Sequence, residues 1–228
     1  MSRFRVGIDI GGTFTDIVFL NSEGRLFTKK VPSSVDNYAR AIVEGMAEVF
    51  DEASITPKDI RELRHGTTVA SNAILELKGA RVGLITSAGF RDVLEIRTLR
   101  MPRLYDLAWE KPPSLVERYL RQVVDERINA NGVIERRPQR SEVEQVVRRL
   151  LDEKVEAIAI CLINAYANPD NERFVEQIVK EMAPDLPLCI SADVLPEMKE
   201  YERTSTTVIN AYVLPVVGTY LTALRKGL

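Results

Sequence analysis

Two segments rich in Val, Ile and Phe, Arg3 to Ile10 and Thr15 to Leu20, open the chain and read as strands. The tight turn Gly11-Gly12-Thr13 joins them, and Asn21-Ser22-Glu23-Gly24 leads to a third strand over Gly24 to Val31. The period then changes. From Asn37 to Ala53, residues Ala41, Ile42, Gly45, Met46, Val49 and Phe50 recur at helical spacing, predicting a crossover helix packed on the sheet. His65 to Thr68 leads into a helix through Leu77, with Gly79 as its expected stop. Arg81 to Thr86 reads as a buried strand and Gly89 to Ile96 as a short helix. Ser141, followed three positions on by Glu144, predicts the N-cap of a helix through Lys154. Ala157 to Ala165 is nearly continuous apolar sequence, as a central parallel strand should be. A helix over Pro169 to Met182, a strand over Pro187 to Ala192 and a helix over Tyr201 to Val213 follow, and Pro215 is expected to separate the last from Val216 to Leu228.

Composition narrows the class. With 45% hydrophobic and 28% charged residues the chain is not a disordered polymer, and its 228 residues suffice for one large domain with an extension. A net charge of −2 gives no electrostatic reason to expect nucleic acid or an anionic membrane as partner. No apolar run reads as long enough to span a bilayer, and the N-terminus enters a strand rather than a signal peptide, so the expected compartment is cytoplasmic. Cys161 and Cys189 sit in apolar runs and are expected to be buried thiols rather than a disulfide or metal pair. The irregular stretch 97–137 breaks the alternation with Pro102, Pro112 and Pro113, with Arg97, Arg100 and Arg103, and with Trp109. It is expected to lie over a subunit interface, with substrate contact or a solvated, proline-stiffened excursion as the alternatives.

The first turn carries the chemistry. Asp9 ends one strand and Asp16 begins the next, with Gly11, Gly12, Thr13 and Thr15 between them. Glycine lets backbone N–H groups approach a ligand, and successive free N–H groups beside a threonine hydroxyl make an anion-binding concavity. Asp9 at its mouth suits Mg2+, which prefers hard oxygen ligands and keeps several waters. Gly-x-x-x-x-Gly-Lys-[Ser/Thr] is absent, and Gly7-Ile8-Asp9-Ile10-Gly11-Gly12 is not Gly-x-Gly-x-x-Gly. A Rossmann turn also leads into a helix rather than a second strand. The strand–turn–strand hairpin resembles the actin, sugar-kinase and Hsp70 superfamily of ATPases, against the plainer reading of an ordinary hairpin. The resemblance and the chain order together predict an α/β fold. They imply a ribonuclease-H-like mixed sheet with a three-stranded N-terminal meander and flanking helices, the first half of an actin-like ATPase fold. The expected domain covers 1–195, with 196–228 a helical segment leading to a second domain that this chain lacks.

Two further motifs narrow the family. Arg64-His65-Gly66-Thr67-Thr68-Val69-Ala70-Ser71-Asn72-Ala73-Ile74-Leu75-Glu76 follows a helical stretch, and Tyr201-Glu202-Arg203-Thr204-Ser205-Thr206-Thr207-Val208-Ile209-Asn210-Ala211-Tyr212-Val213 lies near the C-terminus. With Asp9-Ile10-Gly11-Gly12-Thr13-Phe14-Thr15-Asp16, they resemble the N-terminal region of the hydantoinase A/5-oxoprolinase family, which includes the corresponding acetone carboxylase subunit. Family members continue well past residue 228, so the resemblance implies an N-terminal piece or a separately encoded half.

The resemblance implies an ATP-dependent hydrolase in which ATP phosphorylates the carbonyl oxygen of a cyclic amide, such as a hydantoin or 5-oxoproline, for ring opening. It implies ATP and Mg2+ as cofactors and a hydantoinase B-like partner subunit. A ketone carboxylase subunit and a non-catalytic nucleotide-binding module are the alternatives. Asp9 and Asp16 would position the metal; Gly11, Gly12, Thr13, Thr15 and Asp16, with Gly66, Thr67 and Thr68, would contact nucleotide. His65, the only histidine, sits at a strand-to-helix junction where Thr67 or Thr68 could cap the helix. It reads either as a proton-transfer group near neutral pH or as a structural histidine on a backbone carbonyl. Glu202, Arg203 and Asn210 either face the cleft between domains or decorate a linking helix.

Overall fold

The computed structural model describes residues 3–33, 38–98, 105, 106 and 108–227. In chain order the elements are β1 (Phe4–Ile10), β2 (Phe14–Asn21), β3 (Leu26–Pro32), α1 (Tyr38–Ala53), β4 (Ile60–Thr67), α2 (Val69–Leu75), β5 (Val82–Ser87), α3 (Val93–Ile96), β6 (Arg121–Val124), β7 (Arg127–Ile128), β8 (Ile134–Arg136), α4 (Arg140–Asp152), β9 (Ala157–Cys161), α5 (Asp170–Met182), β10 (Leu188–Ile190), α6 (Ser191–Val194) and α7 (Glu200–Gly227). They form two compact units, residues 1–78 with 216–228 and residues 79–215. The strands before and after Lys78 pair into separate sheets.

The first unit is a mixed sheet in the order β3-β2-β1-β4. β1 and β2 pair antiparallel with Asp9 opposite Asp16, β2 and β3 pair antiparallel with Asp16 opposite Lys30, and β1 and β4 run parallel with Asp9 opposite Gly66. Strict alternation in β1 buries Phe4, Val6, Ile8 and Ile10, and leaves Arg5, Gly7 and Asp9 on the open face. Ile17 and Phe19 of β2, Ile42, Met46 and Val49 of α1, and Tyr220 and Leu224 of α7 complete the core. α1 packs closely because position 45 has no side chain: a Cβ on Gly45 would come within 2.6 Å of Ile17 Cδ1. Lys29, on the same face, bridges Glu48 and Glu52 of α1 at 2.6 and 2.8 Å.

The second unit has a four-stranded parallel sheet in the order β10-β9-β5-β6 and a small β7-β8 hairpin. β5 and β9 are buried along their whole length, the pattern of a parallel sheet covered on both faces. α4 and α5 pack beside each other on this sheet. Leu150 of α4 lies where a Cβ on Gly83 of β5 would come within 2.9 Å.

Several expectations change. β4 is a strand that runs on to Thr67, past the expected strand-to-helix junction at His65; its polar residues give little alternation, and pairing with β1 supplies the strand state. α2 ends at Leu75, before Gly79. Leu77 takes the left-handed conformation (φ 54°), and Leu77 N–H to Ile74 O (3.3 Å) with Lys78 N–H to Ala73 O (2.9 Å) make a Schellman closure. Gly79 serves packing instead, because a Cβ there would meet the Tyr212 ring at 2.1 Å. Gln139 precedes α4, so Ser141 lies inside the helix and no capping box forms. The stretch 97–137 contains β6, β7 and β8, while Arg100, Pro102 and Arg103 lie outside the described residues.

Pro215 lies within α7 instead of ending it, and marks the change of unit. α7 is also long and apolar enough to cross a membrane by length and composition, with a window of mean hydropathy 1.5 over Glu200–Lys226. The expectation that no run reaches that measure does not hold. Both cores use the helix: Val208, Ala211 and Tyr212 are buried in the second unit, Tyr220 and Leu224 in the first. Cys161 and Cys189 are free thiols, the first buried and the second partly so, and burial raises both above the ordinary thiol range.

Candidate functional site

The open face of the first sheet gathers Gly7 and Asp9 from β1, Asp16 and Val18 from β2, and Arg64 and Gly66 from β4 around a shallow groove of about 400 Å3. The pleat decides this set, since paired residues on neighbouring strands point the same way. A Cβ on Gly7 would meet nothing within 4 Å, and one on Gly66 would lie 3.7 Å from Asp9 Oδ1, so the floor beside Asp9 is bare backbone. Asp16 accepts hydrogen bonds from Lys30 Nζ with both oxygens, at 2.8 and 2.9 Å. Asp9 has no ion-pair or hydrogen-bonding partner among the described residues, which makes it the freer carboxylate for a cation. No group of three or more His, Cys, Asp or Glu side chains suited to a metal occurs among the described residues. Mg2+ is commonly held by one or two carboxylates with water and phosphate completing its shell, so this donor set fits it.

The turn is braced from beneath. Gly11 N–H donates to Phe14 O at 3.0 Å and so closes the hairpin, which removes it from the expected phosphate donors. Ser33, just after β3, donates its hydroxyl to Gly11 O at 2.8 Å and its N–H to Thr13 O at 2.9 Å. Thr15 is fully buried, and its hydroxyl lies 3.0 Å from that of Ser33. Thr15 therefore shapes the turn rather than touching a ligand. The N–H groups of Gly12 and Thr13 make no hydrogen bond among the described residues, and both residues are exposed. These are the free donors of the concavity.

β4 leads into α2 directly behind the turn. Thr68 N–H and hydroxyl both reach Ile10 O, at 3.1 and 3.3 Å, tying the helix start to the end of β1. Thr67 accepts from Val69 N–H at 3.1 Å, so the two threonines fix the junction, and Thr68 makes no side-chain cap. Asn72, one turn along α2, bonds Thr68 Oγ1 at 3.3 Å, and its Nδ2 would lie 3.1 Å from a Cβ on Gly12. Its amide thus stands over the turn.

His65 borders the same groove as Asp9, but its side chain is directed differently. It pairs with Ile8, so the pleat turns its ring to the exposed edge of the core face, 5.9 Å from the Tyr220 ring, while Asp9 points to the opposite face. Burial pushes the Tyr220 phenol up to about 12.

Residues 5–183 match the model of the hydantoinase/oxoprolinase N-terminal region. The chain belongs to that family. It is 35% identical to the caprolactamase subunit alpha of Pseudomonas jessenii over 225 residues, 96% of this chain and 32% of that one. It is 32% identical to 5-oxoprolinase 1 of Arabidopsis thaliana over 250 residues, 96% of this chain and 19% of that one. Its fold matches the crystal structure of the ATP-dependent caprolactamase of Pseudomonas jessenii with a TM-score of 0.87 and 34% identity, covering 98% of this chain and 34% of that chain. It matches nucleotide-free acetone carboxylase with a TM-score of 0.89 and 26% identity, over 99% of this chain and 34% of that chain. The chain spans about a third or less of the length of these relatives.

Six residues of the third motif are buried: Arg203, Thr204, Thr207, Val208, Ala211 and Tyr212. Arg203 is 1% exposed and donates to Leu162 O at 2.7 Å and Glu197 O at 3.1 Å, with its guanidinium 5.5 Å from the Tyr166 ring centre. The expectation that it faces a cleft is overturned; carbonyl oxygens take its two terminal nitrogens, while the buried Nε has no hydrogen-bond partner among the described residues. Glu172, equally buried, accepts from Leu162 N–H (2.8 Å), Ser191 hydroxyl (2.5 Å) and Ala192 N–H (2.9 Å), yet burial still lifts its carboxyl to about 7. Ser33, Lys30 and Asn72 escape sequence reasoning. For Asn72 a signal existed, its four-residue spacing from Thr68 on a predicted helix. Lys30 and Ser33 depend on strand register, which composition does not reveal.

Proposed function

We propose that this chain is the phosphate-binding part of an ATP-dependent enzyme that activates a cyclic amide carbonyl by phosphorylation for ring-opening hydrolysis. The observation that carries the reading is the pair of free N–H groups at Gly12 and Thr13 beside the unpaired Asp9. Those N–H groups and the Thr13 hydroxyl would donate to phosphate oxygens, and the Asn72 amide lies close enough to the turn to add a donor. Lys30 pairs with Asp16 on the neighbouring strand. Asp9, with Asp16 beside it, would hold Mg2+, which when bound neutralises phosphate charge during transfer. Gly66 leaves room beside Asp9.

The sheet order β3-β2-β1-β4 supports an actin-like, ribonuclease-H-like reading of the first unit. A second domain completing the nucleotide site, a hydantoinase B-like partner subunit and a cytoplasmic setting belong to the same proposal. A ketone carboxylase subunit is the second reading, favoured by the match to acetone carboxylase.

Asp9→Asn tests the assignment, assayed with the remaining chain and partner subunit present. Removing one such electrostatic contact costs ~10²–10³ in rate. ADP release with hydantoin, 5-oxoproline or caprolactam should fall by about that factor while the melting temperature holds. Full activity in Asp9→Asn would remove the metal role, and ADP release only with acetone and bicarbonate would favour the carboxylase.

A further inference from the structure

A turn that receives phosphate has charge to balance. Strand register sets Lys30, Asp16, Asp9 and Gly66 in one row across β3, β2, β1 and β4, at the end of the sheet nearest the turn. Two carboxylates therefore stand beside the place a polyanion must enter, and like charges repel. The free N–H groups of Gly12 and Thr13 are dipoles without a full charge to set against them. A cation supplied by the chain would close the gap, and three basic side chains on the open face are candidates.

Two of them are badly placed. Arg5 lies four residues before Asp9 on β1, or ~13 Å at a rise of about 3.3 Å per residue. Arg64 is level with Gly7, two residues further from the turn than Asp9, and its Nε is taken by Glu62 at 2.6 Å. Lys30 is in the row itself. Its Nζ donates to both oxygens of Asp16, at 2.8 and 2.9 Å, and among the described residues the third hydrogen of the ammonium has no acceptor. Nζ also stands 5.4 Å from the centre of the Phe14 ring, and Phe14 is the residue whose carbonyl closes the turn on Gly11. The pair is open to solvent, with 57% of the lysine side chain and 49% of the aspartate side chain exposed. An ion pair so exposed adds little to stability and is readily exchanged for another partner. The lysine's flexible four-carbon stem lets its charge follow that partner.

We propose that Lys30 is a phosphate-binding residue: Asp16 holds its ammonium ready beside the turn, and an entering nucleotide phosphate takes it as a charge-assisted hydrogen-bond donor. The exchange also uncovers the Asp16 oxygens. This rests on the reading of the turn as a nucleotide site, and adds to it a chain cation that leaves one partner for another.

Calorimetric titration of the protein with its second domain tests the proposal, using ATP and adenosine with Mg2+ present throughout. Lys30→Met keeps a long side chain without the charge. ATP affinity should fall at least about tenfold, the size of one hydrogen bond to a charged group, while adenosine affinity and the melting temperature hold. Because Lys30→Met also leaves Asp16 bare to repel phosphate, the deciding comparison is made with Asp16 neutral. The double variant Asp16→Asn/Lys30→Met should bind ATP at least about tenfold more weakly than Asp16→Asn, since the lysine then has no carboxylate to offset and only its own contact with phosphate to lose. Equal ATP affinity in those two variants would overturn the proposal. A matching fall in adenosine affinity together with a lower melting temperature would also overturn it, by marking Lys30 as structural. Gly12→Val distinguishes the two readings. ATP binding lost in Gly12→Val but equal in the Asp16 pair counts against Lys30 alone. A parent that binds ATP no more tightly than adenosine, or a Gly12→Val variant that binds ATP like the parent, counts against the turn and the lysine together.

Discussion

Gly12→Val separates a phosphate turn from a structural one. Gly12 does not have a positive φ, so a side chain brings no backbone strain. An added Cβ would sit 3.1 Å from Asn72 Nδ2, closer than ordinary contact, with the next atom 4.0 Å away. That amide is held by one long bond to Thr68 at 3.3 Å and is partly open to solvent, so it can turn aside. The fold should lose no more than about 1 kcal/mol. The valine branches, however, would stand in front of the Gly12 and Thr13 N–H groups. A hydrogen bond to a charged group is worth ~1.5–3 kcal/mol, so losing two costs ~3–6 kcal/mol. At about 1.4 kcal/mol per tenfold, ATP affinity should fall by ~10²–10⁴. Calorimetric titration of the protein with its second domain, with Mg2+ present, measures that fall, and a thermal melt beside it checks the fold. An ATP affinity within twofold of the parent at an unchanged melting temperature would show that the turn binds no phosphate.

Two further outcomes follow from the packing. His65→Gln removes a ring contact with Tyr220 worth about 0.5–1.5 kcal/mol, so the melting temperature should drop by a few degrees, with turnover following the folded fraction. Disappearance of an ionisation from the pH–rate profile at constant melting temperature would instead place His65 in the chemistry. Burial raises the Glu172 carboxyl from 4.5 to about 7, so between those values the folded chain keeps a proton that the unfolded chain has released. The stabilisation this gives is fully present below pH 4.5 and is lost as pH rises through about 7, on the order of 3 kcal/mol. Glu126, also raised by burial, contributes with the same sign. Melting curves from pH 4.5 to 8 should show a steeper decline in the parent than in Glu172→Gln, and parallel curves would contradict this account.

The sequence by itself determines the elements whose signals are local. β1 and β2 follow from β-branched and aromatic runs, the turn from its paired glycines, α1 from six residues at helical spacing, and β9 from an unbroken apolar run. Asp9 at the mouth of the turn was legible for the same reason, since eight consecutive residues carry it. Features that depend on pairing or burial were decided only by the tertiary structure. β4 is a strand because β1 offers it hydrogen bonds, although its own residues are mostly polar. The same pairing turns His65 away from Asp9, because a shift of one residue along a strand exchanges faces. Register brings Lys30 onto Asp16, and the chain's return after β3 places Ser33 under the turn, where it ties up Gly11 and Thr15. Arg203 looks like a surface cation until Leu162 and Glu197 present their carbonyl oxygens to it inside the second unit. Pro215 looks like a helix stop, yet α7 runs through it, with residues on its N-terminal side belonging to the second unit and those after it to the first. A local pattern fixes what a segment prefers to be; only the partners it meets across the fold fix which face it shows and whether a charge is buried.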